Sequence, residues 1–372
     1  MTILSGPSAH PLFSRCPALR ESLPHVPLGT FPTPVERHDE LAARLGVGEL
    51  WVKRDDLSGE IYGGNKVRKL EVLLADALRT GAKEVMTFGA AGSNHALATA
   101  VYGKRLGLSV DLFLTPQPAF DHVRRNLLLD DVFGARLHHA ADAGEAASAA
   151  AAHVAKRTAE AGVAPYVIPY GGTNALSVTG MIDAGLELVM QAFQGELPEP
   201  DLVYVAAGSM GTAAGIAVGL AAGGCEAEVR AVRVTPPDVA SQQGLDSLIG
   251  EVQDLVCAMD GSCGCTVEIE PKARLLEGFY GDGYGEPLKA ATKAIGLGRT
   301  AGLVLDATYT GRAFAALMAD AATGDLADAR VLFWNTFDSH DFSAATEGRD
   351  PDSLPTAFGG YFADGAGAAP RT

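Results

Sequence analysis

The 372-residue sequence predicts an α/β fold with a mostly parallel sheet and two lobes. Short apolar runs rich in valine and aromatic residues alternate with helical patterns through most of the chain. Such alternation is typical of parallel strands with helices on both faces. Two strand–turn–helix segments also resemble each other, residues 85–106 and 202–222. A chain of this length has room for two hydrophobic cores.

The individual elements follow from periodicity and from turn residues. "EVMTFGAAGSNHALATAVYGKRLG" predicts a strand, a turn and a helix, and "VDLFLTP" predicts the next strand. An alanine-rich helix should end at Gly162, and after "YVIPYGG" a further helix should run from Ser177 to Phe193. "DLVYVAAGSMGTAAGIAVGLAAGG" predicts a buried strand and a helix that packs through its glycines, rather than a membrane span. Later strands are predicted in "EVRAVRVT", "LVLDATY" and "RVLFWNT".

Composition excludes some classes of protein. A net charge of −16 argues against a nucleic-acid or anionic-membrane partner, since phosphates demand a basic surface. The first residues lack a basic stretch followed by an apolar one, so we expect no signal peptide and a cytoplasmic protein. Cys257, Cys263 and Cys265 supply three thiols without an obvious fourth ligand, so we expect no metal there and interpret the segment as a surface insertion.

Two glycine-containing turns are candidate binding sites. "GSMGTAAG", residues 208–215, matches neither the dinucleotide fingerprint nor the P-loop, but suits a single phosphate held by backbone amides, with hydroxyls from Ser209 and Thr212. The alternative is a tight turn that needs glycine for packing alone. At the second turn, Ser93, Asn94 and His95 begin a helix, where Ser93 or Asn94 could simply be an N-cap.

The stretch "IYGGNKVRKLE", residues 61–71, concentrates positive charge where a helix is predicted to begin, at about Val67. Cations at a helix N-terminus oppose the helix dipole unless an anion lies nearby. A lysine that is desolvated in a cleft has a lowered pKa and can form a Schiff base with an aldehyde cofactor. Because Lys66 and Lys69 are one turn apart, one could hold such a cofactor and the other could reach its phosphate.

Six motifs resemble a known family: "VKRDDLSGEIYGGNKVRKLEVLLADALRTGA", "GAAGSNHALATA", "PYVIPYGGTNALSVTG", "AAGSMGTAAGIAVGL", "GYGEP" and "LDATYTGRAFAAL". They look like the D-cysteine desulfhydrase / 1-aminocyclopropane-1-carboxylate (ACC) deaminase family. Its members use pyridoxal 5'-phosphate (PLP) and have the tryptophan-synthase-β type of fold (PLP fold type II). The similarity runs from about residue 28 to residue 336.

The resemblance implies a role for each matching residue. Lys66 would carry PLP covalently, and Ser93 would lie beside the substrate, whose carboxylate the backbone of Asn94 and His95 would cup. Asn94 would also bind the ring hydroxyl of the cofactor. Tyr284 and Tyr309 match the two active-site tyrosines of the family, and Tyr284 would also contact the substrate. Lys69 would contact the cofactor phosphate, and the remaining cofactor contacts would be Gly208, Ser209, Met210, Gly211, Thr212, Thr310 and Thr336.

Three positions bear on the substrate. ACC deaminases are expected to carry a glutamate after the second tyrosine, where this chain has Thr310. A neutral residue there makes the cofactor ring a weaker electron sink, which still suffices for β-elimination because the leaving group takes the electrons, so Thr310 favours the desulfhydrase branch. Gly92 replaces the glutamine of the desulfhydrase pattern, and Phe337 and Asp338 replace two glycines. The substrate therefore stays open, with ACC deamination, other eliminations and β-replacement as alternatives.

The sequence thus predicts a PLP-dependent lyase that performs α,β-elimination on a small β-substituted amino acid. We expect a large PLP-binding domain from residues 1–71 and 181–360, a small inserted domain from residues 72–180, and a flexible tail from residue 361. The resemblance implies a homodimer. A nicotinamide-dependent oxidoreductase would need a glycine fingerprint that the chain lacks, and the intact candidate residues speak against a non-catalytic binding protein.

Overall fold

The computed structural model describes residues 10–260 and 270–363. Its strands, in chain order, are β1 Val35–Arg37, β2 Glu49–Lys53, β3 Glu84–Ala90, β4 Ser109–Thr115, β5 Arg136–His139, β6 Tyr166–Val167, β7 Leu202–Ala207, β8 Glu228–Arg233, β9 Ala273–Leu276 and β10 Arg330–Trp334. Its α-helices are α1 Pro11–Arg15, α2 Leu19–Ser22, α3 Asp39–Leu45, α4 Lys66–Arg79, α5 Asn94–Arg105, α6 Asp121–Val132, α7 Ala143–Ala161, α8 Ala175–Phe193, α9 Gly211–Ala222, α10 Gln242–Met259, α11 Lys289–Thr300, α12 Thr310–Ala321 and α13 Ser343–Thr346. Short 3₁₀ turns cover Asp55–Leu57, Tyr170–Gly172, Pro351–Ser353 and Thr356–Tyr361.

The described chain forms two compact units, and the first comprises residues 10–72 and 173–339. Its sheet has the order β1-β2-β10-β7-β8-β9, with every neighbouring pair parallel except the antiparallel pair β1–β2. One core, on one face of the sheet, includes Ile182, Ile216 and Val252, and the other includes Leu50, Phe314 and Phe333. The predicted α/β class with parallel strands is confirmed.

The second unit comprises residues 73–172 and 340–363. Its four-stranded sheet has the order β5-β4-β3-β6 and is parallel throughout. Strand β3 has valine, methionine and phenylalanine buried along its length, as expected for a central parallel strand. The strand ends at Ala90, so the turn with Ser93 lies at the carboxyl edge of this sheet.

The unit boundaries differ from the predicted domains at two places. Residues 340–363 pack with the second unit, where Arg124 donates to the Tyr361 carbonyl at 2.7 Å and Phe358 meets the ring of His139. Residues 173–180 belong to the first unit, because Val178 lies in its core. Sequence continuity alone could not reveal that the last segment returns to an earlier part of the chain. The predicted tail is ordered as far as residue 363, and residues 364–372 lie outside the described part.

The uncharged stretch after Asp201 forms the core of the first unit, as predicted. Helix α8 packs closely on α9, where a Cβ on Gly219 would come within 2.2 Å of the Ile182 carbonyl. Helix α8 is long and apolar enough to cross a membrane by composition alone, but 67% of its apolar window is buried inside the protein. It therefore has the character of a core helix.

Two other predictions have different outcomes. "LVLDATY" does not form a strand, and residues 303–306 are irregular. The Asp306 carboxylate accepts backbone N–H groups from Thr308, Tyr309 and Thr310, so helix α12 begins here instead. The side chains of Leu303 and Leu305 are nevertheless buried, which explains the apolar pattern. For the cysteine-rich segment, Cys263 and Cys265 lie outside the described residues, and Cys257 is a free thiol on α10.

Candidate active site

The turn that precedes Lys66 depends on two glycines. A Cβ on Gly63 would come within 2.1 Å of the Asp56 carbonyl, and Gly64 has a φ of 89°, a conformation that favours glycine. The loop after β10 closes over this turn, since the Asp338 carboxylate accepts the Gly63 N–H at 2.8 Å. Asp338, one of the residues that depart from the family pattern, thus fixes the backbone just before the lysine.

Arg68 fixes the start of helix α4 from inside the protein. Its guanidinium donates to the Asp55 carboxylate at 2.8 and 3.1 Å and to the Glu187 carboxylate at 2.9 and 3.0 Å, and lies 4.1 Å from the centre of the Phe31 ring. Lys53 completes the network with a 2.6 Å contact to Glu187. Two cations and two carboxylates balance in an interior where an unpaired charge would be very costly.

Lys66 is the first residue of α4, and its amine lies in a desolvated environment. Burial lowers the pKa of the Lys66 amine to about 8, against an opposing effect of the Asp306 carboxylate. Its Nζ is 3.2 Å from the Asn65 side-chain oxygen and 5.9 Å from the centre of the Tyr309 ring. An amine with this pKa is partly neutral near pH 7–8, as a nucleophile or a general base requires.

Lys69 points to the beginning of helix α9. Its Nζ donates to the Thr173 hydroxyl at 2.7 Å, and that hydroxyl is 2.5 Å from the Ser209 hydroxyl. A Cβ on Gly211 would lie 3.0 Å from the Lys69 amine, so glycine allows this approach. Burial, together with the charge of Lys66, lowers the pKa of Lys69 well below its usual value.

Asn65 connects the two turns of this site. Its amide nitrogen donates to the Thr212 hydroxyl at 2.7 Å, while its amide oxygen faces the Lys66 amine. Met210, which precedes α9, has a φ of 61°, an uncommon value for a residue with a side chain. Of the predicted residues 208–212, Gly211 adjoins the Lys69 amine, Ser209 is linked to it through Thr173, and Thr212 binds Asn65.

Tyr284 and Tyr309 form a pair, with their hydroxyls 2.5 Å apart and their rings nearly perpendicular. Burial raises the pKa of Tyr284 to about 12 and that of Tyr309 well above its usual value, so both are protonated at neutral pH. Arg312 holds the loop that carries Tyr284, because its guanidinium donates to the Glu286 carbonyl at 2.6 Å and to the Tyr280 carbonyl.

Thr310 and Thr336 have surroundings that the sequence did not indicate. Thr310 is fully buried, and its hydroxyl donates to the Asp306 carboxylate at 2.7 Å. Thr336 follows strand β10, and its carbonyl accepts the Asn65 N–H at 3.3 Å. Both residues lie next to the Lys66 turn or the tyrosine pair, and both interactions help to hold the backbone there.

The other predicted residues, Ser93, Asn94 and His95, lie in the second unit, at the start of helix α5. Ser93 is the N-cap of α5, as the simpler interpretation held, since its hydroxyl accepts the Ala96 N–H at 3.2 Å. The His95 ring lies 2.9 Å from the Thr87 hydroxyl and is buried, so its side chain has a packing role. The Asn94 side-chain oxygen accepts from Asn126 at 3.1 Å.

Gly92 departs from the family pattern for a steric reason. A Cβ at this position would lie 2.9 Å from the Val123 side chain and 3.1 Å from the Gln117 amide oxygen. That oxygen accepts the Gly92 N–H at 3.0 Å, so a glutamine from the next strand–helix connection lies against the turn. A larger residue at position 92 would require Val123 and Gln117 to move.

Four important residues were not predicted from the sequence: Asn65, Asp306 and Arg312 in the motifs, and Thr173 in the turn before α8. Their signals were present but ambiguous. An asparagine after two glycines and an aspartate three residues before a tyrosine are both common in ordinary turns and caps. Only the fold shows that the Thr173 hydroxyl meets Lys69 across more than 100 residues of sequence.

Comparison with known proteins identifies the class. The family model described as "Pyridoxal-phosphate dependent enzyme" matches residues 26–336, and the chain belongs to this family. Nocardicin C-9' epimerase from Nocardia uniformis subsp. tsuyamanensis is 38% identical over 85% of this chain and 93% of its own. D-cysteine desulfhydrase from Klebsiella pneumoniae is 37% identical over 79% of this chain and 88% of its own.

The solved structures agree on the fold. A crystal structure of an ACC deaminase homologue has a TM-score of 0.73 and 31% identity, and it covers 90% of this chain and 95% of its own. The fold is therefore PLP fold type II, and the protein is a PLP-dependent enzyme, as predicted.

The residues of the first unit fit the cofactor chemically. The amines of Lys66 and Lys69 lie one helical turn apart on α4, and the hydroxyls of Thr173 and Ser209 and the start of α9 lie near the Lys69 amine. A bound phosphate would supply the negative charge that Lys69 and the α9 N-terminus favour. Lys66, one turn away, would then be within reach of the aldehyde end of the same molecule.

Replacement of Arg68 by methionine should destabilise the protein by about 3–5 kcal/mol, because it leaves Asp55 and Glu187 buried with one cation instead of two. The matched control is Arg79→Met on the same helix, where the arginine side chain is 67% exposed and its pair with Asp76 is worth about 0–1 kcal/mol. Urea unfolding of both variants measures the difference. Equal destabilisation would contradict a special role for Arg68.

Proposed function

We propose that this protein is a D-cysteine desulfhydrase-like lyase, which removes a β substituent from a small amino acid and yields a 2-oxo acid and ammonia. The observation that carries the proposal is the buried Lys66 amine of lowered pKa beside a phosphate-type cradle and a protonated tyrosine pair. Nucleophile, anion site and proton donors are the groups that this reaction class requires.

Lys66 has two roles in this proposal. Its neutral amine would hold PLP covalently, and the same amine, when free, would accept the proton from the substrate Cα. PLP, when bound, supplies the electron sink that makes this proton removable. The Asn65 oxygen, 3.2 Å from Nζ, orients the amine.

The tyrosine pair is proposed to assist departure of the β substituent. A leaving thiolate or similar anion needs a proton, and both hydroxyls are protonated at neutral pH. Their 2.5 Å separation means that one hydroxyl donates to the other, which stabilises charge on whichever oxygen gives up its proton.

Recognition of the substrate carboxylate is proposed for the turn at Ser93. The start of helix α5 offers backbone N–H groups of Asn94 and His95, and such termini favour anions. Ser93 contributes its hydroxyl hydrogen, since its oxygen already accepts from Ala96. The support is the resemblance of "GSNHA" to the family motif together with this helix start.

Preference for a desulfhydrase reaction over ACC deamination rests on Thr310. Its hydroxyl is bound to Asp306, and it carries no charge that would favour a protonated cofactor ring. Gly92 and Asp338, which depart from the family pattern, have local partners in the Gln117 amide oxygen and the Gly63 N–H, so they do not by themselves select a substrate. We therefore propose a β-substituted amino acid as the substrate class, with D-cysteine as the first member to test.

Replacement of Lys66 by alanine should abolish the visible absorption band of the purified PLP-bound enzyme, because that band needs the cofactor conjugated to a lysine. Lys83→Ala, which changes an exposed lysine in the second unit, is the matched control and should keep the band. A band that survives in Lys66→Ala but disappears in another lysine variant would assign the anchor elsewhere.

Assays with D- and L-cysteine, cysteate, serine and ACC should release 2-oxo acid from a β-substituted amino acid and none from ACC.

A second candidate function is epimerisation, which the 38% identity to nocardicin C-9' epimerase favours, and chiral analysis of the remaining substrate tests it. It shares Cα proton removal but returns the proton to the opposite face. Inversion without 2-oxo acid would replace the lyase proposal, and 2-oxo acid from ACC alone would move the enzyme to the other branch.

We further propose a cytoplasmic homodimer. Burial of α8 and the acidic net charge support the location, which cell fractionation tests. For the dimer, Phe193 is 93% exposed and adjoins Met190, which is 45% exposed, and apolar residues of this size are rarely left in water together.

Phe193→Glu should therefore shift the molecular mass in solution from dimer to monomer. The control is Val163→Glu, which places the same charge on another exposed apolar residue, 42% exposed in the second unit. Light scattering coupled to size-exclusion chromatography measures the mass. A dimer that persists in Phe193→Glu would exclude this surface as the interface.

A further inference from the structure

A second group of ionisable side chains lies in the first unit, and one of them, Glu71, is on the same helix as Lys66. His10, His25 and Glu71 each offer a ligand atom, and these atoms all lie within 4.8 Å of one another. Asp183 on α8 joins them, with an oxygen 2.8 Å from His10 Nδ1. We call these four residues the histidine–carboxylate cluster; the proposed reaction uses none of them.

The cluster lines a cavity with an apolar wall. Leu12, Phe13, Leu23 and Val72 are among the other residues around it. The Glu71 and Asp183 side chains are only 4% and 7% exposed, and those of His25 and His10 are 18% and 17% exposed. An apolar shell of this kind strengthens the attraction between carboxylates and a cation.

Each carboxylate is oriented by the backbone, so that one oxygen remains for a further partner. In Glu71, Oε1 accepts the Leu28 and Gly29 N–H groups at 2.9 and 3.0 Å, and Oε2 faces His25. In Asp183, Oδ1 accepts the Leu12 N–H at 2.8 Å, and Oδ2 faces His10. The N-terminal segment therefore has a fixed position relative to both acids.

The two histidines have different situations. His10 Nδ1 must donate to the ionised Asp183, which leaves the lone pair of a neutral ring on Nε2. Within residues 10–260 and 270–363, the buried His25 Nε2 makes no hydrogen bond, and it lies 3.4 Å from Glu71 Oε2. That separation is close to the distance of about 3.3 Å between two ligands of a tetrahedral zinc ion bound at about 2.0–2.1 Å.

Charge balance favours a divalent cation. Two buried carboxylates face two histidines, so neutrality needs either two protons on the rings or one ion of charge +2. Arg68, which also lines the cavity, does not supply this charge, because Asp55 and Glu187 already pair with it and with Lys53.

We propose that the histidine–carboxylate cluster is a zinc site, with His10, His25 and Glu71 as ligands and Asp183 as the carboxylate that orients His10. A carboxylate–histidine–zinc arrangement of this kind fixes the tautomer of the ligand. The bound ion would join the N-terminal segment to α4 and α8 and so stabilise the helix that carries Lys66. The site is independent of the proposed lyase activity.

The test is zinc content of the untagged holoenzyme after dialysis against zinc and then buffer, measured by mass spectrometry. Wild type should retain one zinc per chain, and His25→Gln and Glu71→Gln should lose it. Asp183→Asn should weaken zinc binding by about 10–100-fold. His138→Gln is the matched control: its ring also contacts a buried aspartate, Asp111, but in the second unit, and this variant should retain the zinc.

If the cysteines hold the zinc, His25→Gln and Glu71→Gln will retain it, and that result would overturn the proposal. Wild-type enzyme with less than one zinc per chain would also overturn it. If a variant fails to fold, the wild-type enzyme still decides the question. Zinc should raise its melting temperature and a chelator should reverse the rise. No shift would mean that the cluster is held by protons and hydrogen bonds alone.

Discussion

The buried guanidinium of Arg68 is the interaction on which the rest of this structure depends. Arg68 lies between Lys66 and Lys69 in sequence, but its guanidinium donates to the carboxylates of Asp55 and Glu187, which come from different parts of the chain. A shift of the first turn of α4 would break this buried ion network at a cost of several kcal/mol, so the network fixes the position of that turn. Lys66 and Lys69 then lie in a desolvated environment, and this burial is the main cause of their lowered pKa values.

Close backbone approach is the second constraint, and glycine supplies it. Gly63 and Gly64 let the loop after β10 pack against the start of α4, and Gly211 lets Lys69 reach the start of α9. Both contacts bring polar groups to the beginning of a helix, where unpaired N–H groups attract anions. The same arrangement explains why positive side chains are tolerated at a helix N-terminus here, since the cofactor phosphate would reverse the unfavourable dipole interaction.

The positions that depart from the family pattern turn out to have local structural partners. Asp338 fixes Gly63, Thr310 binds Asp306, and Gly92 gives room to Val123 and Gln117. Of the three, only Asp338 contacts the turn that precedes Lys66. The relatives carry the names of a deaminase, an epimerase and a desulfhydrase, so one fold serves several functions in this family.

The sequence by itself determined the α/β class and most strands and helices, because periodicity and glycine-rich turns are local signals. The resemblance of its motifs to a known family indicated the cofactor correctly, and Lys66 as the reactive lysine stays a prediction. It did not reveal that residues 340–363 pack with the second unit, that residues 303–306 are irregular, or that Arg68 is an internal anchor rather than a surface cation. Those outcomes depend on partners such as Glu187, 119 residues away from Arg68. Only tertiary structure brings such groups together, and burial then decides whether a charge is paired, neutral or reactive.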